Sequence, residues 1–151
     1  MKNPLKKMKY ILLVEDNKDD EDLTVRALRK GNIGNEIVVV RDGAEALDFV
    51  FARGPYATRD QSMPPQVVLL DLKLPKVNGL EVLAKIRENE KTKTWPVVIL
   101  TSSREEKDVI EGYSLGINSY ICKPVDLAQF TLAVQQLGMY WLVLNEAPPT
   151  S

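Results

Sequence analysis

The stretch YILLVED, residues 10–16, places two acidic side chains directly after five apolar ones. An uninterrupted apolar run of this length is typical of a strand buried on both faces, as in a parallel sheet. Three further runs also end in polar residues: Val67–Leu70 before Asp71, Val97–Leu100 before Thr101, and Ser119–Cys122 before Lys123. In an open parallel sheet, reacting groups gather beyond the carboxyl ends of the strands. The sequence therefore predicts one sheet edge that carries Glu15, Asp16, Asp71, Thr101 and Lys123.

The segments between these runs have helical periodicity, and the β-branched run Ile37–Val40 supplies another strand. This alternation predicts an α/β fold: a doubly wound, five-stranded parallel sheet with helices on both faces. The first helix is expected from near Asp19 to near Gly31, with Leu23, Ala27 and Leu28 on its core side. The fourth is expected at Arg104–Gly112. The apolar residues that indicate the other helices are Ala46, Leu47 and Val50; Leu80, Leu83 and Ile86; and Leu127, Phe130, Val134, Leu137 and Trp141.

A long connection, Arg53–Pro65, separates the second helix from the third strand. It contains one glycine and three prolines, and at roughly a dozen residues it is near the upper limit for an ordinary loop. We interpret it as either variable decoration of the fold or a contact with a partner.

Length and composition limit the possible classes of protein. A chain of 151 residues with 44% hydrophobic content suits one compact domain. Residues 8–145 are expected to form it, with an extended C-terminal helix and with tails at residues 1–7 and 146–151. The net charge of −1 and the lack of a sustained basic stripe argue against nucleic-acid binding.

The sequence has neither a signal-peptide pattern nor an apolar stretch long enough to span a membrane, so we expect a cytoplasmic protein without membrane contact. Its one cysteine, Cys122, cannot form an internal disulfide. The absence of histidine excludes histidine zinc sites and histidine-dependent triads within this chain. Any phosphohistidine donor must therefore belong to a partner.

The polar residues predicted at the sheet edge suit phosphoryl transfer with a divalent cation. Magnesium, or manganese in its place, prefers a few carboxylates plus water and phosphate oxygens, which Glu15, Asp16 and Asp71 would supply, with the carbonyl of Lys73 completing the shell. Asp71 is the candidate nucleophile, because an aspartate carboxylate can accept a phosphoryl group as an acyl phosphate. The Lys123 ammonium and the Thr101 hydroxyl would contact phosphoryl oxygens.

Each of these residues also has an ordinary structural interpretation. Asp71 alone could be a turn or cap residue, Thr101 a helix N-cap, and Lys123 with Pro124 a turn. The combination of all of them favours chemistry. The acidic patch Asp19–Asp22 is instead interpreted as a complement to the positive N-terminal end of the first helix dipole.

These motifs, namely Leu12–Asp16, Asp71–Pro75 with Gly79, Leu100–Ser102, and Lys123 with Pro124, resemble the receiver domain of two-component response regulators. The resemblance covers about residues 8–138. It implies a flavodoxin-like fold with strand order 2-1-3-4-5, phosphorylated on Asp71 by a sensor histidine kinase with magnesium. It further implies an acidic metal pair at Glu15 and Asp16, a switch pair at Thr101 and Tyr120, a phosphate contact at Lys123, and a Lys123–Pro124 bond that is often cis in this family.

Two residues depart from the commonest receiver pattern: Glu15, where many receivers have aspartate, and Ser102, where alanine is frequent. Lys73 lies two residues past Asp71, and we hypothesise that it shields the acyl phosphate from water. A protein of this kind is a signalling phosphoacceptor that catalyses only its own phosphotransfer and dephosphorylation. Phosphorylation is expected to shift the surface of helix four, strand five and helix five between two populations.

The signal is expected to leave through contacts with a downstream protein target. The run Met139–Leu144 is apolar all round, which predicts a homodimer or partner interface at Tyr140, Trp141 and Leu144; extra packing against the long loop is the alternative. Together, the long loop and the apolar C-terminal end are similar to response regulators paired with bacterial phytochromes. The kinase is expected to read helix one, at residues such as Leu23, Arg26 and Ala27.

Several rival functions can be weighed on the same residues. A flavin-binding electron carrier needs a hydroxyl- and glycine-rich phosphate loop after the first strand, whereas residues 15–19 are mainly acidic. A phosphatase with an aspartate nucleophile usually has a second acid two residues later, where this chain has Lys73. A chemotaxis or relay receiver, and a receiver scaffold that works without phosphorylation, remain open.

Overall fold

The computed structural model describes residues 10–31, 33–102, 106–117 and 119–136. The strands are β1 (Tyr10–Val14), β2 (Glu36–Val40), β3 (Val67–Asp71), β4 (Val97–Thr101) and β5 (Ser119–Cys122). The α-helices are α1 (Lys18–Lys30), α2 (Gly43–Val50), α3 (Gly79–Glu88), α4 (Glu106–Ser114) and α5 (Leu127–Gln136), and a 3₁₀ turn covers Gly54–Tyr56. No helix in these described ranges is long and apolar enough to cross a bilayer.

The five strands form one parallel sheet in the order β2-β1-β3-β4-β5, which confirms the predicted fold class. The register aligns the carboxyl ends of neighbouring strands. Val14 lies beside Leu70, Asp71 beside Leu100, and Thr101 beside Cys122. The polar residues that end or follow these strands are therefore brought to one edge, as predicted from the apolar runs.

The sheet separates two hydrophobic cores, because successive side chains of a strand point to opposite faces. Leu12 and Val14 face the core that is closed by α2 and α3, where Phe49 and Leu83 are buried. The other face has its own core under α1 and α5, which contains Ile11, Leu13, Leu28, Val98 and Phe130.

Helix α1 buries a different stripe from the one predicted. Leu23 is 47% exposed, so its placement in the core was wrong, while Glu21, Thr24 and Leu28 are buried. These three residues are spaced i, i+3 and i+7, which is one helix face. The pattern of apolar side chains does not indicate this face, because two of its three buried residues, Glu21 and Thr24, are polar. Leu28 is buried as predicted.

Helix α4 continues past the predicted end at Gly112. Gly116, with φ of 77°, terminates it: its N–H bonds to the Tyr113 carbonyl, and the Ile117 N–H bonds back to the Gly112 carbonyl. A left-handed glycine just beyond the last turn is the common way to satisfy such carbonyls. Ile110 and Tyr113 are exposed on this helix. The predicted start at Arg104 lies outside the described residues.

Arg59 anchors the long loop, Arg53–Pro65, to the C-terminal end of α2. Its Nε donates to the Phe49 carbonyl at 2.7 Å and Nη2 to the Val50 carbonyl at 3.0 Å, so the guanidinium caps the C-terminal end of α2. The same group lies 4.7 Å from the centroid of the Phe49 ring. Nearby, the Tyr10 hydroxyl donates to the Met63 carbonyl at 2.8 Å. The loop is thus part of the folded unit.

An Arg59→Ala variant is expected to lower the free energy of unfolding by roughly 2–3 kcal/mol, since it removes charge-assisted hydrogen bonds to half-buried carbonyls. The matched control is Arg53→Ala in the same loop. Arg53 is more exposed and pairs with Asp48 at 3.4 Å, so we expect a loss of under about 1 kcal/mol. Urea denaturation followed by far-UV circular dichroism measures both. Equal losses would show that Arg59 does not anchor the loop.

Candidate functional site

The predicted polar residues meet at the carboxyl edge of the sheet. Asp71 and Thr101 are the last residues of β3 and β4, and both are buried. The backbone fixes the residues beyond the strand ends as well: the Glu15 N–H donates to the Val40 carbonyl at 3.0 Å, and the Lys123 N–H donates to the Thr101 carbonyl at 2.9 Å. The Lys123–Pro124 peptide bond is cis, as the family resemblance implied.

The ammonium of Lys123 is the cationic centre of the site. Its Nζ lies 2.7 Å from Glu15 Oε1, 2.9 Å from Asp71 Oδ2 and 3.0 Å from Asp20 Oδ2. The side chain is only 9% exposed. Burial alone would lower the pKa of Lys123, but the hydrogen bonds to Asp71 and Glu15 outweigh it and raise that pKa. Lys123 is therefore a permanent cation.

The Glu15 carboxylate is buried in an environment that disfavours its ionised form. Its side chain has no solvent exposure, and Oε1 meets Lys123 as an ion pair while making no hydrogen bond among the described residues. Burial, followed by the neighbouring Asp71 carboxyl, raises the pKa of Glu15 from 4.5 to about 7. An ionised Glu15 thus lacks enough compensating partners in the protein alone.

The acidic groups fit a hard divalent cation. Glu15, Asp16 and Asp71 each offer a carboxylate oxygen, and these atoms all lie within 4.8 Å of one another. Oxygen donors of this kind are the ligands that magnesium and manganese prefer. The buried Glu15 Oε1, which makes no hydrogen bond among the described residues, fits a position where a bound cation would supply the compensating charge. This matches the metal set predicted from the sequence, apart from Lys73.

The side chain of Lys73 is exposed, and its backbone N–H donates to Asp71 Oδ1 at 3.1 Å. This hydrogen bond fixes the orientation of the Asp71 carboxyl. The roles predicted for Lys73, a metal-binding carbonyl and a shield against water, stay predictions.

Gly79 holds the loop after β3 in place by close approach. Its N–H donates to the Leu72 carbonyl at 2.9 Å, and a Cβ at this position would collide with the Asp71 carbonyl oxygen. Only glycine tolerates such an approach of two backbone segments. The sequence motif contained Gly79, but the neighbour that requires glycine, the Asp71 carbonyl, lies eight positions earlier and comes close only when the loop folds back.

Asp20 is a site residue that sequence reasoning missed. The acidic patch was assigned to the helix dipole, yet Asp20 contacts Lys123 directly. The Asn17 side chain accepts from the Asp20 N–H at 2.9 Å, which makes Asp20 the third residue of a capped helix. Side chains at this position point back toward the cap, and here toward the end of β1. That capping pattern could have identified it.

The switch residues lie on the same face of the sheet, because Tyr120 pairs with Ile99 and Thr101 lies two residues after Ile99 on β4. Thr101 is buried, whereas Tyr120 is 40% exposed and packs edge-on against Tyr113, with 5.9 Å between ring centroids. A surface cleft between α4, β5 and α5 is lined by Tyr113, Ser119, Tyr120, Gln129, Leu132 and Ala133. The predicted interface residues Tyr140, Trp141 and Leu144 lie outside the described residues.

Glu15→Gln is expected to stabilise the metal-free protein while removing metal affinity. Because the folded-state pKa of Glu15 is raised, the native protein holds a proton that the unfolded chain has released between pH 4.5 and about 7. The stability of wild type therefore falls as pH rises through that window, and glutamine avoids this loss. At pH 8 the variant should gain on the order of 3 kcal/mol, since the pKa of Glu15 rises from 4.5 to about 7 and one pKa unit corresponds to about 1.4 kcal/mol.

Denaturation of the metal-free proteins at pH 8 and below pH 5, together with a magnesium titration, measures both effects. The gain should shrink toward zero at the acidic pH. A variant that is less stable than wild type at pH 8 would contradict the assignment.

Comparison with known proteins gives a consistent set of relatives. The family model described as "Response regulator receiver domain" matches residues 11–135. The chain is 42% identical over 134 residues to the response regulator Rcp1 of Synechocystis, covering 89% of each protein. A structure of the bacteriophytochrome response regulator RtBRR superimposes with a TM-score of 0.82 at 53% identity, over 95% of this chain and 86% of that one.

Two further solved structures are of response regulators in a metal-bound and a phosphorylated form. A structure of Rcp1 in its Mn²⁺-bound form matches with a TM-score of 0.73 at 41% identity, over 93% of this chain and 99% of that one. The phosphorylated cyanobacterial phytochrome response regulator RcpA matches with a TM-score of 0.74 at 40% identity, over 95% and 99%.

Proposed function

The chain belongs to the response regulator receiver family, and on that premise we propose that it accepts a phosphoryl group on Asp71 from a sensor histidine kinase. The observation that carries this proposal is the contact of Asp71 Oδ2 with Lys123 Nζ at 2.9 Å, next to the Glu15 and Asp16 carboxylates. A nucleophilic carboxylate, a permanent cation and a metal-type acidic pair are the groups that phosphoryl transfer to aspartate requires.

Each residue has a defined role in the transfer. An Asp71 oxygen attacks the phosphorus of phosphohistidine, and the bond from phosphorus to the donor nitrogen breaks. Lys123 and the Thr101 hydroxyl stabilise the negative charge on the phosphoryl oxygens. Glu15, Asp16 and Asp71 would hold a magnesium or manganese ion, which supplies further neutralisation of that charge. The same site releases the phosphoryl group slowly to water, which resets the protein.

The kinase is of the phytochrome type, since RtBRR and RcpA are both named as phytochrome response regulators and together support this pairing. The output is a change in the surface that carries Tyr113 and Tyr120. Thr101 moves toward the phosphoryl group, and Tyr120 turns into the space left beside β4. A downstream protein reads this surface, and a second copy of the chain associates through Tyr140, Trp141 and Leu144.

Intact-protein mass after incubation with acetyl phosphate tests the central step. We expect a gain of one phosphoryl group that requires magnesium and disappears when the metal is chelated. A purified phytochrome-type kinase, compared with an unrelated histidine kinase, then tests the pairing through the rate of phosphoryl transfer. If neither donor adds a phosphoryl group, a phosphorylation-independent scaffold is the better description.

A further inference from the structure

The acidic residue Asp20 has a contact that neither the helix dipole nor the metal cluster explains. Its Oδ2 lies 3.0 Å from Lys123 Nζ, although the two residues are 103 positions apart in the sequence. Building on the proposed function, we propose that Asp20 is a positioning residue that competes with the incoming phosphoryl group for Lys123 and so slows phosphorylation of Asp71.

The competition follows from the number of donors on an ammonium. A lysine ammonium has three N–H groups and no acceptor. Three carboxylates lie around Lys123 Nζ: Glu15 at 2.7 Å, Asp71 at 2.9 Å and Asp20 at 3.0 Å. Lys123 donates hydrogen bonds to Asp71 and Asp20, and Glu15 Oε1 occupies a further position at 2.7 Å, so a phosphoryl oxygen reaches the ammonium at hydrogen-bond distance only when one of these carboxylates moves.

Asp20 differs from the other two carboxylates in what happens when a cation binds. Glu15 and Asp71 belong to the cluster whose oxygens converge within 4.8 Å, so a bound cation offers them a new partner. Asp20 is not in that cluster, and its side chain is 35% exposed. A cation held by that cluster therefore offers Asp20 no new partner in place of Lys123.

The backbone keeps Asp20 in this position. Asn17 caps α1 by accepting from the Asp20 N–H at 2.9 Å, and the neighbouring Glu21 is buried against Arg41, with 3.0 Å between Oε1 and Nη2. The first turn of α1 is thus fixed on both sides of Asp20. The backbone of Asp20 is therefore fixed at a place from which its carboxylate reaches Lys123.

The step that Asp20 slows can be written with acetyl phosphate as the donor. An Asp71 carboxylate oxygen forms a bond to phosphorus, and the bond from phosphorus to the acetate oxygen breaks. Acetate leaves with the electron pair, and no proton or electron is exchanged. The transferred group carries negative charge toward Lys123, where the Asp20 charge both repels it and occupies one donor.

The test compares Asp20→Asn with Asp20→Glu and with Asp19→Asn, at saturating magnesium and acetyl phosphate below saturation. Asp19 is an exposed acid on the same turn, so its variant removes the same charge from the same helix end. We expect Asp20→Asn to gain the phosphoryl group at least about threefold faster than wild type, because the repelling charge is removed and the neutral amide oxygen competes more weakly for Lys123 than a carboxylate does. Asp19→Asn and Asp20→Glu should stay close to the wild-type rate.

Salt gives a readout that a purely structural role would not change. The advantage of Asp20→Asn should shrink at high ionic strength, because the Asp20 side chain is partly exposed and its charge is screened. An unchanged or slower rate for Asp20→Asn, or an equal acceleration in Asp19→Asn, overturns the inference. A wild-type protein that gains no phosphoryl group refutes the proposed function instead, so the two failures are distinguishable.

Discussion

An Asp71→Asn variant will gain no phosphoryl group from acetyl phosphate or from a kinase, under conditions in which the wild-type protein is modified. The amide has nearly the shape of the carboxylate but lacks its negative charge and nucleophilicity. Asp71 Oδ1 accepts from the Lys73 N–H at 3.1 Å and Oδ2 from Lys123, and an asparagine oxygen can retain one of these contacts. The loss of activity is therefore expected without loss of the fold.

The metal-free variant should also be at least as stable as wild type. Removing the Asp71 charge relieves its repulsion with Glu15, which raises the pKa of Glu15 in the wild-type protein. Intact mass and thermal unfolding of the same sample measure both effects. Asp60→Asn is a suitable control, since Asp60 is exposed in the long loop and accepts from Ser62. A phosphoryl group on the Asp71→Asn protein would place the acceptor elsewhere.

In a Lys123→Met variant, the free energy of unfolding will depend on magnesium more strongly than it does in wild type. The substitution keeps most of the volume of the side chain but leaves Glu15, Asp71 and Asp20 without their shared cation. Removing one partner of a buried ion pair leaves an uncompensated charge, so the metal-free variant should lose on the order of 3 kcal/mol. Added magnesium should restore most of this loss, because it binds only the native arrangement.

The rate of phosphorylation should fall about 100-fold in the same variant, as is typical when one donor that stabilises transition-state charge is removed. Denaturation with and without magnesium, and a time course of intact mass, measure the two effects. Lys18→Met is the matched control, because Lys18 also pairs with two carboxylates, those of Glu21 and Asp22, but its own side chain is 67% exposed on α1. Equal stability of wild type and Lys123→Met without metal would refute the role of Lys123 as the internal counter-ion.

The architecture could be predicted because β1, β3 and β4 are buried along their whole length, and such strands are uninterrupted apolar runs. The bounds of Tyr10–Val14, and those of the partly exposed Ser119–Cys122, were located to the residue. The placement of Glu15, Asp71, Thr101 and Lys123 at one edge followed from parallel topology alone, because each residue ends or follows a strand. The end of a buried strand can be located in the sequence, because it is the residue at which the apolar run stops.

The remaining features depend on neighbours that are distant in sequence. Asp20 meets Lys123 across 103 positions, and Arg59 meets the end of α2 only after the long loop folds back. The burial of Glu21 in place of Leu23 depends on Arg41, which supplies the compensating charge at the end of β2. None of these pairs has a local pattern, since each partner is an ordinary polar residue until the fold brings it close.

The separation of the two cores by the sheet has a consequence for how this protein can evolve. The side chains under α1 and α5 belong to one cluster and those under α2 and α3 to another, with the strand backbones between them. Substitutions in the two clusters should act on stability additively, because they share no side-chain contact. The exposed side of α1, including Leu23, can then change without repacking the half of the protein that carries the long loop. Divergence of this surface and stability of the other half depend on separate sets of residues.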